Sequence, residues 1–115
     1  MSEASDALEL EVTNRGPHVT IRIGGEIDLA TSKRLATTLD RYASDGATAI
    51  TLDLSHVTFF DSSGVRVLVG AAHGRRESGQ AFALARPSTA VRRVLELSGV
   101  VDLFTFEGTD GDGSA

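Results

Sequence analysis

Three segments alternate strictly between apolar and polar residues, and this constrains the fold more than any other feature. In "LELEVT", Leu8, Leu10 and Val12 oppose Glu9, Glu11 and Thr13. In "VTIRI", Val19, Ile21 and Ile23 oppose Thr20 and Arg22, and in "AITLDLS", Ile50, Leu52 and Leu54 oppose Thr51 and Asp53. Side chains of a strand point alternately to the two faces of its sheet, so each segment has one apolar face and one polar face. A parallel sheet covered on both faces gives near-continuous apolar strands instead. Helices are therefore expected on one face only.

The connections agree with this. "NRGPH" between the first two strands is a turn sequence, because Gly16 tolerates positive φ and Pro17 fixes its own, so the chain starts with a β-hairpin. "TSKRLATTLDRYASDG" carries Leu35, Leu39 and Tyr42 at helical spacing, with Asp28 or Thr31 to cap its start and Gly46 to end it. A second helix follows "DSSG", with Val65, Leu68, Val69 and Ala72 on one face. "AFALA" is a strand, and "PSTAVRRVLELSG" is a third helix capped by Ser88 or Thr89, with Val91, Val94 and Leu95 inward. "LFTF" is a last short strand. Right-handed crossovers between adjacent parallel strands keep placing the helix on the same side. The predicted architecture is a two-layer α/β domain: a mixed sheet of four or five strands beginning with a hairpin, with helices mainly on one face. Arg75, Arg76, Arg92 and Arg93 are assigned to solvated helix faces.

The chain has 115 residues, enough for one domain with one core, which is placed at residues 8–107. Residues 1–7 and the acidic, glycine-rich residues 108–115 are expected to be disordered tails. The net charge of −5 gives no electrostatic support for a nucleic-acid or anionic-membrane partner. The absence of cysteine removes disulfides, thiolate zinc sites and a cysteine nucleophile. His18, His56 and His73 are scattered without ligand spacing, so no metal and no cofactor is expected. No segment approaches the ~20 apolar residues of a membrane span, and the acidic N-terminus is unlike a signal peptide, so the expected location is the cytoplasm.

Loops leaving the C-terminal ends of parallel strands share a rim that ligands favour. Three such loops bring Glu26 and Asp28, then Asp61, Ser62 and Ser63, then Arg86 and Ser88 into prospective proximity. On residue chemistry alone, "DSSG" is most simply a helix cap. Gly64 does not fit that reading alone. Glycine in a first helical turn costs about 1 kcal/mol relative to alanine, which calls for another surface in close approach. A serine hydrolase using Ser62 or Ser63 needs a general base. "DSSGV" lacks the G-x-S-x-G elbow, and only His56 lies on the same loop.

Three segments, in order, resemble the STAS domain family of anti-sigma factor antagonists: "GGEIDLAT", "LDLSHVTFFDSSGVRVL" and "ARPSTAVRRVLELSGVVDLF". Val65 stands where leucine is common in that family. The resemblance implies a regulatory binding module and not an enzyme. The unmodified domain would bind an anti-sigma factor that is also a serine kinase with a histidine-kinase-like ATP fold, freeing the sigma factor. Phosphorylation by that kinase would release the domain, and a PP2C-type phosphatase would restore it. The family's phosphorylated serine matches Ser62, and its nearby aspartate matches Asp28. Glu26, Asp28, Asp61, Ser63, Gly64, Arg66 and Val67 make up the expected partner-binding rim, in a monomer or weak dimer. Val67 and Ala71 serve equally well as an apolar contact patch or as edge-of-core packing. The alternative within the same family is an anion- or nucleotide-binding or scaffold module without a phospho-switch.

Overall fold

A computed structural model describes residues 3–4, as backbone, and 7–107; residues 108–115 lie outside the described part. Its elements are β1 (Glu3–Ala4), β2 (Leu8–Arg15), β3 (His18–Ile27), α1 (Leu29–Ser44), β4 (Ala49–Phe60), α2 (Ser62–Glu77), β5 (Ala81–Ala85), α3 (Thr89–Leu97), a 3-10 turn (Val101–Leu103) and β6 (Thr105–Glu107). The strands lie in sequence order in one mixed sheet. β1, β2 and β3 pair antiparallel, and β3 through β6 pair parallel. The expected hairpin is β2–β3. β1 adds two residues to the outer edge of β2, within the segment expected to be a tail, because that edge leaves strand hydrogen bonds unpaired.

Register turns the alternating segments into rows across the sheet. Ile21, Leu52, Leu84 and Phe106 form one row, and Arg22, Asp53, Ala85 and Glu107 the next. The apolar rows meet the helices. Leu35 and Leu39 of α1, Leu68 of α2, and Val91 and Leu95 of α3 join Ile21, Ile23, Leu52, Leu54 and Leu84 in one core. Each helix is capped by one of the side chains its sequence offers: Asp28 for α1, Asp61 for α2 and Ser88 for α3.

The polar face departs from expectation at its centre, where Thr51 and Asp53 are buried. Ala83 and Ala85 on β5 are small, so groups from beyond them reach β4 over the sheet surface. The Thr51 hydroxyl donates to Glu107 Oε1 at 3.0 Å, and His18 Nε2 lies 3.1 Å from the same hydroxyl. With that single proton given to Glu107, His18 is the donor of its own bond. Asp53 accepts from the amide (3.0 Å) and hydroxyl (2.7 Å) of Ser55 and pairs with Arg86. Burial raises the Asp53 pKa, but the Ser55 bonds and Arg86 outweigh it, leaving the group below the usual aspartate value.

Arg75 corrects another expectation. It is buried, not solvated, and its guanidinium donates to the Ala81 carbonyl (3.1 and 3.2 Å) and to Gln80 Oε1 (2.9 Å). It satisfies backbone at the α2–β5 turn while its stem covers apolar surface.

Candidate functional site

β4 is longer than its neighbours, and its irregularity builds the site. Between Arg22 and Ile27, β3 advances five residues while β4 advances seven, from Asp53 to Phe60, so β4 carries two extra residues. Each extra residue reverses which face the following side chains occupy. The first turns His56 outward and Val57 into the core. The second leaves Thr58 and Phe59 outside and sends Phe60 in. The Thr58 hydroxyl donates to the Gly25 carbonyl at 3.2 Å, which ties the irregular strand to β3. Gly25 itself has φ +92, and a Cβ there would lie 2.1 Å from the Ala7 carbonyl oxygen, so only glycine fits.

The two strands then finish level. Ile27 pairs with Phe60, and the residues that follow, Asp28 and Asp61, become the caps of adjacent helices. The Asp61 amide donates to the Ile27 carbonyl at 3.3 Å, which joins the two helix starts. Asp28 forms a reciprocal cap with Thr31: the Thr31 amide donates to Asp28 Oδ1 (3.0 Å), and the Asp28 amide donates to Thr31 Oγ1 (2.9 Å). Thr31 Oγ1 also donates to the Glu26 carbonyl (2.9 Å), while the Glu26 side chain is exposed. Asp61 Oδ1 accepts from the Ser63 amide at 2.9 Å.

This separates the two serines. Ser62 is the first residue of α2 and is exposed, whereas Ser63 is partly buried and its amide is held by Asp61. Gly64 is buried in the same turn. A Cβ there would lie 2.3 Å from Phe60 Cε1 and 2.9 Å from Ile27 Cγ2, so the close approach that its position called for is the packing of α2 onto the ends of β3 and β4. Arg66, four residues on from Ser62 and therefore on the same side of the helix, is exposed. Val67 is turned away. It packs against the core and, with Arg66, Ala36, Leu39, Ala71 and Phe82, lines a cleft of about 450 Å³ between α1 and α2.

The third loop is not at this rim. Asp53 pairs with Ala85, where β5 ends, and the Ser88 amide donates to the Leu54 carbonyl at 3.2 Å. β4 continues six residues past Leu54, roughly 20 Å of extended chain. Arg86 and Ser88 therefore stay near the middle of β4, with Arg86 engaged by Asp53.

None of the three histidines serves Ser62 or Ser63. His18 bonds Thr51, and His73 lies three turns along α2. His56 bonds Ser55 (3.0 Å) and Arg22 (2.8 Å) on the outer sheet face. No histidine base therefore stands beside either serine, and the geometry gives a histidine-assisted hydrolase reading no support. Among the described residues, no group of three or more His, Asp or Glu side chains is arranged to hold a metal, and no helix is long and apolar enough to cross a membrane.

Two residues at the rim were not singled out from sequence. Leu29, the first residue of α1, is 70% exposed, and Phe59 is 47% exposed. The adjacent aromatics "FF" carried a partial signal, because neighbouring strand residues face opposite ways and one of them must leave the core.

The STAS domain model matches residues 9–112. The chain belongs to the STAS domain family. It is 27% identical over 106 residues to the anti-sigma-B factor antagonist of Listeria monocytogenes, covering 91% of this chain and 93% of that one. An anti-sigma factor antagonist from Mycobacterium paratuberculosis has a similar structure, with a TM-score of 0.77 at 26% identity, covering 92% and 90% of the two chains. The Bacillus cell fate determinant SpoIIAA in its phosphorylated form gives a TM-score of 0.67 at 27% identity, covering 90% and 94%. The mixed sheet, the opening hairpin and the single helical layer are those of this STAS fold.

Proposed function

We propose that this chain is an anti-sigma factor antagonist that works by partner switching. Unmodified, it binds a serine-kinase anti-sigma factor and so frees the sigma factor. Phosphorylated on Ser62, it is released, and a PP2C-type phosphatase returns it to the binding form. It acts in the cytoplasm as a binding module and a substrate, not as an enzyme.

The observation that carries this reading is the exposed Ser62 at the start of α2, in a chain similar over nine-tenths of its length to named anti-sigma factor antagonists. Ser63 is less accessible and its amide is occupied by the cap, which favours Ser62 as the modified residue. A phosphoserine adds about −1.5 to −2 charges at neutral pH. At the first position of a helix these charges meet the positive end of the dipole, so the fold tolerates them. Glu26, Asp28 and Asp61 already make the rim acidic, and the added charge falls on the binding surface. Release then follows from repulsion and desolvation at the interface and not from rearrangement of the domain.

The test is to incubate the chain with candidate anti-sigma factor kinases and ATP, then locate phosphate by mass spectrometry in the unaltered chain, Ser62→Ala and Ser63→Ala. Phosphate is expected on Ser62 and absent from Ser62→Ala. Phosphate that survives Ser62→Ala but disappears in Ser63→Ala refutes the assignment.

A further inference from the structure

Four large apolar side chains are exposed among the described residues, and two of them, Leu29 and Phe59, belong to the same strand ends and helix starts as Ser62. Leu29 and Ser62 are the first residues of two adjacent helices whose caps follow paired strand positions. Phe59 pairs with Glu26 on the outer side of the same rim, three residues before Ser62. Both side chains are held outward by the fold. Phe59 is outside because the second extra residue of β4 sends Phe60 into the core against Gly64. Leu29 lies about 100° around α1 from the buried Leu35–Leu39 stripe, so it cannot join the core without turning the helix.

We propose that Leu29 and Phe59 are the apolar anchors of the unmodified rim, and that they fit a protein surface with an apolar recess bordered by Lys or Arg side chains. This rests on the partner-switching reading and names what the partner must present. The two residues protrude, and neither lines the cleft between α1 and α2. Two protruding apolar side chains are covered by walls that come from outside the chain, and a protein surface supplies them. Glu26, Asp28 and Asp61 surround the pair, which selects a basic border and opposes an anionic bilayer. The arrangement also explains how one phosphate suffices. Apolar anchors at the centre of an interface exclude water, and a dianion introduced between them must be desolvated there.

The experiment measures the affinity of the unphosphorylated full chain for the anti-sigma factor kinase that modifies Ser62 in the assay above, with far-UV circular dichroism of every variant. Leu29→Ala and Phe59→Ala are each expected to weaken binding at least tenfold with unchanged spectra. Leu97→Ala removes a still more exposed leucine at the far end of α3 and is expected to bind as the unaltered chain does. Binding within twofold by both rim variants overturns the anchors while leaving partner switching intact, and so does an equal loss in Leu97→Ala. Failure of the unaltered chain to bind any such kinase overturns partner switching and the anchors with it.

Discussion

Replacing Gly64 by alanine adds one methyl group, and the local and tertiary effects of that group have opposite signs. Within the helix, alanine is favoured over glycine by about 1 kcal/mol. Against the sheet, the new Cβ would stand 2.3 and 2.8 Å from two carbons of the Phe60 ring and 2.9 Å from a methyl of Ile27. Ordinary contact needs 3.5–4 Å, so the first turn of α2 must lift by about 1 Å or the ring must move. Phe60 and Ile27 are 4% and 0% exposed, so neither can swing into solvent. Overpacking of this kind costs about 1–3 kcal/mol, and three simultaneous contacts with buried atoms place Gly64→Ala toward the upper end. The net expectation is a loss of about 1–2 kcal/mol, which for a domain of this size lowers the melting temperature by roughly 5–10 °C. Urea unfolding and calorimetry of the purified variant measure it. Phe60→Leu should relieve part of the conflict, so Gly64→Ala is expected to cost less in that background than alone, a coupling that a double-mutant cycle reads directly. A Gly64→Ala protein as stable as the unaltered chain, or more stable, would refute the close-packing argument and leave the glycine without a structural reason.

Two further outcomes follow from the charges. Asp53 has its pKa lowered in the folded state by Ser55 and Arg86 despite burial, so its stabilising contribution is present above the unfolded value of about 3.8 and is lost as pH falls through the folded value. Asp53→Asn should therefore cost about 1–2 kcal/mol at pH 7, and the gap between variant and unaltered chain should narrow as pH falls below 4; a gap independent of pH between 7 and 3 would contradict this. Phosphoserine or aspartate at position 62 should leave the far-UV spectrum unchanged and stability within about 1 kcal/mol, because an anion at a helix N-terminus is favourable. A large loss of structure accompanying loss of binding would show that release works through the fold and not through surface charge.

Much of the fold was legible because it is written in local patterns. Period-two alternation marked β2, β3 and the first half of β4, helical spacing marked α1 to α3, and each cap was among the residues its sequence offered. Long-range placement was less legible. Asp53 and Thr51 alternate as solvent-facing residues should, yet they are buried by His18 of β3 on one side and, across small alanines on β5, by Glu107 of β6 and Arg86 of the loop after β5 on the other. Arg75 has the composition of a solvated helix face, but its position near the end of α2 lets it reach the Ala81 carbonyl. Arg86 and Ser88 were expected at the rim because loop order alone says nothing about how far one strand outruns another.

The sequence by itself determined the layer arrangement, because one polar and one apolar face per strand leaves only one side for the helices. It also required that something approach Gly64. Only the tertiary structure decided which side chains of "HVTFFD" face inward. Alternation carried on from Leu54 would bury His56, and carried on from Val57 would bury Phe59. Instead Val57 and Phe60 are in the core and Phe59 stands at the rim beside Glu26. Two extra residues on β4 make the difference, and an extra residue is defined only by the strand it fails to pair with. No pattern within β4 reveals its register against β3, so the exposed phenylalanine next to Ser62 becomes visible only when the two strands are laid side by side.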